Sequence, residues 1–146
     1  MKKKKILLIE DNQDDIILIQ RAFNKIKLMD DFELIIKQDG SQALSYLFNH
    51  PTTLIFNQER SSTILLLDLK LPRMNGFEIL QHIRSNEKTK LIPVIVFTSS
   101  KEDTDIIKAY EFGANSYIRK PIDSEKFTTV LEQIIRYWGE INELPQ

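Results

Sequence analysis

The chain has 146 residues, 42% of them hydrophobic and 28% charged, a balance that suits one globular domain with a single core and leaves little room for a second. Its formal net charge of -1 supplies no overall attraction to nucleic acid or to an anionic membrane surface, so neither is expected as a partner. Cysteine is absent, which excludes disulfides, thiolate metal sites and a cysteine nucleophile.

The chain opens on Met1 and the lysines Lys2 to Lys5, followed by Ile6-Leu7-Leu8-Ile9. A secretory h-region needs about 7 or more apolar residues, and Glu10 and Asp11 end this run before that length. No stretch reaches the roughly 18 apolar residues of a membrane span, so a cytoplasmic protein is expected. The first run reads as a strand buried on both faces of a parallel sheet. A helical period follows at Ile16, Ile19, Phe23 and Ile26, then a weaker strand over Phe32 to Ile36 and a second helix marked by Ala43, Leu44 and Leu47. Residues 49–62, with Pro51 and the apolar insert Leu54-Ile55-Phe56, read as a loop longer than the usual connection.

Ile64-Leu65-Leu66-Leu67 is a second buried-strand run and ends at Asp68. Phe77, Leu80 and Ile83 mark a third helix; Val94-Ile95-Val96-Phe97 is a further strand, ending at Thr98; Ile106, Ile107 and Tyr110 mark a fourth helix. A weak strand over Ser116 to Ile118 leads into Arg119 and Lys120. The last helix carries the clearest stripe, Phe127, Val130, Leu131, Ile134, Ile135 and Trp138, with Asp123 or Ser124 as its N-cap. Strands alternating with helices imply βαβ units, hence an α/β fold with a doubly wound, five-stranded parallel sheet covered on both faces. In such folds ligands sit outside the carboxyl ends of the strands.

Those ends carry Glu10 and Asp11, Asp68, Thr98 and Lys120. Three carboxylates at one edge repel one another unless a cation lies among them, and Mg²⁺, with its octahedral oxygen coordination, answers that need. A lysine and a hydroxyl beside them suit a phosphoryl group, whose charge spreads over three oxygens, and Asp68 is then the candidate nucleophile. Each residue also has a structural reading. An acidic pair caps helices, Thr98-Ser99-Ser100 makes a turn, and Lys120-Pro121 ends an edge strand. Capping alone does not explain why acid, acceptor, hydroxyl and cation all fall at strand ends of one chain. His50 and His82 have no paired metal-ligand spacing and read as structural or solvent-facing.

With these motifs the sequence resembles the receiver domains of two-component response regulators, over about residues 5 to 138. Ile6 to Asn12 is similar to the family's opening strand and acidic pair. Leu66 to Gly76, Ile95-Val96-Phe97-Thr98-Ser99 and Tyr117-Ile118-Arg119-Lys120-Pro121 resemble the phosphoacceptor loop, the switch-hydroxyl strand and the closing motif. The resemblance implies a flavodoxin-like (βα)5 fold with strand order 2-1-3-4-5. It implies Asp68 as phosphoacceptor, assisted by Thr98 and Lys120, with Mg²⁺ held by Glu10, Asp11, Asp68 and the backbone carbonyl of Lys70. Thr98 and Tyr117 would form the switch, and Lys120-Pro121 would be cis. A sensor histidine kinase is the implied phosphodonor, and output passes to an unknown protein. Gly76 is expected to permit a tight turn and Gly113 to end the fourth helix, both through glycine's freedom at positive φ.

Residues 1–138 read as the receiver domain and residues 139–146 as a C-terminal extension. The long loop and this extension resemble a single-domain subgroup serving phytochrome-type kinases. Tyr137, Trp138, Ile141 and Leu144 dock on the domain itself or line a homodimer interface; the sequence leaves both open. A phosphatase or phosphomutase using an aspartyl phosphate would carry a second aspartate two residues after the nucleophile, where this chain has Lys70, and an FMN site would be repelled by Glu10 and Asp11. The expected role is therefore a switch that catalyses only its own phosphorylation and dephosphorylation, and the side chain of Lys70 is expected to point to solvent.

Overall fold

The computed structural model describes residues 4–26, 32–49 and 63–144. Five strands, β1 (Lys4–Ile9), β2 (Phe32–Lys37), β3 (Thr63–Leu67), β4 (Val94–Thr98) and β5 (Ser116–Arg119), alternate with α1 (Gln13–Lys25), α2 (Gly40–Asn49), α3 (Gly76–Ser85), α4 (Asp103–Glu111) and α5 (Ser124–Arg136). All strand pairs are parallel and the order is β2-β1-β3-β4-β5, the expected doubly wound arrangement. The long loop expected over residues 49–62, with His50 in it, lies outside the described residues apart from Asn49, where α2 ends.

Side chains alternate across each strand and so divide the core into two layers. Leu7, Ile9, Leu65, Leu67, Val94 and Val96 pack with the inner faces of α2, α3 and α4. Ile6, Leu8, Ile64, Leu66, Ile95 and Phe97 pack with α1 and α5 on the other side. Burial on both faces makes β1, β3 and β4 unbroken apolar runs, and each fully buried Leu or Ile contributes about 1.5–3 kcal/mol. β2 and β5 are the sheet edges and only partly buried, which is why their sequence signal is weak.

The starts of α1, α3 and α5 are set by side-chain caps. Asn12, Asn75 and Asp123 accept from the backbone N–H of Asp15, Glu78 and Lys126 at 3.0, 3.1 and 3.0 Å. Asp123, rather than Ser124, therefore caps α5. Gly113 ends α4 at φ 101° as expected. Gly76 does not have a positive φ; it is the first residue of α3, and its need for glycine is close approach to the Asp68 main chain.

At the opposite end of the sheet, Arg84 at the end of α3 donates to the carbonyls of Gly113, Lys90 and Ile92 and to Asn115 Oδ1, all at 2.7–2.8 Å. Asn115 Oδ1 also accepts from the Val94 N–H at 2.7 Å, so one guanidinium ties the entries to β4 and β5 together.

After α5 the chain continues through a π-helical turn, Tyr137–Ile141. Trp138 and Leu144 pack against the α1/α5 layer, and buried Gly139 lies against Phe32, with Lys4 Nζ donating to its carbonyl. Tyr137 and Ile141 remain exposed at 49% and 68%. The four residues thus divide, two docking on the domain and two facing outward. Among the described residues no helix is long and apolar enough to cross a membrane.

Candidate functional site

The register of the sheet brings the predicted residues to one rim. Ile9 pairs with Leu67 and Leu67 with Val96, so Glu10 and Asp68 leave their strands side by side. The Asp68 N–H donates to Ile9 O at 3.1 Å, and the Glu10 N–H to Lys37 O at 3.0 Å. These bonds fix both main chains before any side chain is considered. Glu10 and Asp68 are buried at 1% and 6% exposure, whereas Asp11 is exposed.

Lys120 enters from the end of β5, its N–H donating to Thr98 O at 2.8 Å. Its ammonium contacts Glu10 Oε1 and lies 2.7 Å from Asp15 Oδ2 and 3.2 Å from Asp68 Oδ2. The cis bond expected at Lys120-Pro121 is not found; the bond is trans. The trans isomer of an X-Pro bond is favoured by about 0.5–1 kcal/mol, and the Lys120 contacts form with it in place.

One oxygen each from Glu10, Asp11 and Asp68 lie within 4.8 Å of one another. Two oxygens on opposite sides of Mg²⁺ stand about 4.2 Å apart, so this all-oxygen set fits a hard divalent cation with a small inward movement. Lys70 donates its N–H to Asp68 Oδ1 at 3.3 Å, and its side chain is exposed, as expected.

Burial, and next the neighbouring Asp68 carboxylate, push Glu10 up to about 8 against the pull of Lys120. Burial by itself would lower the Lys120 ammonium, but the charges of Asp68 and Glu10, with the hydrogen bonds it donates to Asp15 and Glu10, hold it above the ordinary lysine value. Negative charge in excess over one lysine is therefore the dominant electrostatic feature of the rim.

Thr98 and Tyr117 meet one turn away, at Ser100. Thr98 is fully buried and its Oγ1 accepts from the Ser100 N–H at 3.4 Å. The Tyr117 hydroxyl donates to Ser100 O at 3.0 Å, so its half-buried ring lies over the β4–α4 turn. Burial raises the phenol above its ordinary value. The structure thus gathers Glu10, Asp11, Asp68 and Lys120 into one cluster, with Thr98 and Tyr117 joined through the adjacent turn. His82 is exposed and takes no part.

Asp15 was not among the predicted residues. Its position in the first turn of a helix reads as ordinary dipole compensation, and no local pattern sets it apart from Asp14 beside it.

A profile of the response regulator receiver domain matches residues 6–132. FilR2 of Methanothrix harundinacea, a probable methanogenesis regulatory protein, is 37% identical over 140 residues, covering 96% of this chain and 86% of its own. Response regulator Rcp1 of Synechocystis is 34% identical over 142 residues, covering 97% and 93%. Its Mn²⁺-bound crystal structure matches with a TM-score of 0.82 over 98% of this chain and 99% of that one. The phosphorylated cyanobacterial phytochrome response regulator RcpA matches with a TM-score of 0.85 at 32% identity, covering 99% of both chains.

Proposed function

The chain belongs to the response regulator receiver domains, the phosphoacceptor switches of two-component signalling, and from that premise we propose that Asp68 is its phosphoacceptor and Mg²⁺ its metal. The observation that carries this reading is the convergence of Glu10, Asp11 and Asp68 with the Lys120 ammonium 3.2 Å from Asp68 Oδ2. Receiver domains bind a divalent cation, and here Glu10, Asp11, Asp68 and the backbone carbonyl of Lys70 would hold it. When bound it neutralises the approach of a phosphoryl anion to a carboxylate.

A sensor histidine kinase presents a phosphohistidine, in line with the Asp68 carboxylate. The bond from phosphorus to the histidine nitrogen breaks as a bond from phosphorus to the Asp68 oxygen forms, and the Lys120 ammonium faces the charge on the transferred oxygens. Thr98 then exchanges its contact at Ser100 for a phosphoryl oxygen, and the population shifts toward a state whose α4–β5–α5 face binds an output protein differently. Hydrolysis of the acyl phosphate resets the switch, with no other substrate turned over. The likeness to RcpA makes a phytochrome-type kinase the favoured donor, in the cytoplasm.

We read residues 1–138 as the receiver domain and 139–146 as its extension, with Tyr137 and Ile141 exposed for a homodimer contact. Light scattering with and without a phosphoryl mimic tests that contact, and a monomer in both states removes it. The central test is acetyl phosphate with and without Mg²⁺, followed by mass spectrometry. Wild type gains one phosphoryl mass only with the metal, and Asp68→Asn gains none; full labelling of that variant refutes the assignment.

A further inference from the structure

Lys120 has three carboxylate partners, and two of them, Glu10 and Asp68, belong to the set that fits a cation. Asp15 is the third and stands outside that set. Its Oδ2 lies 2.7 Å from Lys120 Nζ, and its side chain is 23% exposed. Its main chain is fixed by the Asn12 cap, which accepts from the Asp15 N–H at 3.0 Å.

A cation arriving between Glu10 and Asp68 draws on the same two carboxylates that the Lys120 ammonium contacts, and the two positive charges repel. Lysine and metal then compete for these carboxylates, although both are needed at Asp68. Lysine has three N–H donors. One directed to Asp15 leaves the others free for Asp68 and an incoming anion.

Resting on the reading of Asp68 as a metal-assisted phosphoacceptor, we propose that Asp15 is a positioning residue that keeps the Lys120 ammonium beside Asp68 while a divalent cation takes the oxygens of Glu10 and Asp68. It touches none of the reacting atoms and acts through Lys120. The expected signature is coupling between positions 15 and 120 in metal binding.

The test measures Mn²⁺ binding to the full unphosphorylated chain by the electron paramagnetic resonance of free Mn²⁺. Asp15→Asn is compared with Asp14→Asn, which removes an exposed carboxylate from the same turn, and both are repeated with Lys120→Met. Asp15→Asn is expected to weaken binding about fivefold or more, Asp14→Asn less than about twofold, and Asp15→Asn less than about twofold once Lys120 is gone. Equal losses for the two aspartates, or an undiminished loss with Lys120→Met, would overturn the proposal in favour of general charge. A second measurement needs no substitution at position 15. In metal-loaded wild type, nitrogen-15 spectra should show the Lys120 ammonium hydrogen-bonded to the Asp15 carboxylate, and its absence overturns the proposal as well. A wild type that binds no Mn²⁺ sinks the metal-site reading instead, so the two failures are distinguishable.

Discussion

Gly76 packs so closely on the main chain of Asp68 that a β-carbon at position 76 would stand 2.6 Å from the Asp68 carbonyl oxygen and 2.7 Å from the Cα of Leu69. The Gly76 N–H closes the same loop by donating to Leu69 O at 2.9 Å. Backbone atoms cannot step aside as a flexible side chain can. Gly76→Ala should therefore cost about 1–3 kcal/mol, the range for overpacking, and displace Asp68. Denaturant unfolding and acetyl phosphate labelling check it; an unchanged midpoint and labelling rate would mean that the strand end yields freely.

Lys120→Met leaves Glu10 and Asp68 facing each other without their cation. Removing one partner of a buried ion pair costs about 3–5 kcal/mol, and the lower end applies here because Glu10 already holds its proton up to about 8, which leaves Asp68 as the buried charge that loses its partner. Thermal melting of the metal-free variant should show this loss, and added Mg²⁺ should recover more stability in the variant than in wild type. Equal gains in both would argue that the metal and Lys120 do not share oxygens.

The raised Glu10 carboxyl gives stability a pH dependence. Folded Glu10 holds its proton up to about 8, whereas its ordinary value is 4.5. Between those values the folded state binds more protons than the unfolded one, so the stability of the metal-free protein falls as pH rises through that window. Glu10→Gln should flatten the slope. Urea unfolding with chelator present at about pH 5, 6.5 and 8 measures it, and an upward slope in wild type would contradict the burial argument.

Arg84 makes hydrogen bonds to three carbonyls and to Asn115 through the fixed fork of its guanidinium, and burial lowers its pKa. Lysine has neither the planar fork nor enough donors in the right directions. Arg84→Lys should therefore lose most of what Arg84→Met loses, about 2–4 kcal/mol, since hydrogen bonds to charged groups contribute about 1.5–3 kcal/mol and orphaned carbonyls add to the loss. Chemical unfolding of both variants checks it; a lysine variant as stable as wild type would mean that charge alone suffices.

Gly139 meets Phe32 where a β-carbon would fall 2.1 Å from the ring Cζ. Gly139→Ala should lift the turn after α5 off the sheet edge and raise hydrogen exchange over residues 137–144, with about 1–3 kcal/mol lost overall. Trp138 fluorescence reports the same event, and an unshifted spectrum with unchanged exchange would argue that the turn does not rest on Phe32.

Much of this molecule could be read from the linear chain, and the reason is local. β1, β3 and β4 are buried on both faces, so each is written as an unbroken apolar run, and the residue that ends each run must stand at the sheet's carboxyl edge. Glu10, Asp11, Asp68 and Thr98 were legible for that reason, whereas Lys120 follows the weaker run of the edge strand β5. The alternation of elements limited the topology to a few arrangements, and the resemblance to receiver domains supplied the strand order.

Other features depend on how distant elements come together. Asp15 looks like any acid in a first helical turn until the winding of the chain sets it against a lysine 105 residues away. Arg84 looks like a solvated helix residue until two loops, one before β4 and one before β5, converge on its guanidinium. Gly76 was expected to serve through its φ and serves through contact, and the Lys120-Pro121 bond is trans where kinship pointed to cis. Periodicity records which face of an element is buried, but the atoms that meet across that face depend on register and crossing, which no local pattern encodes.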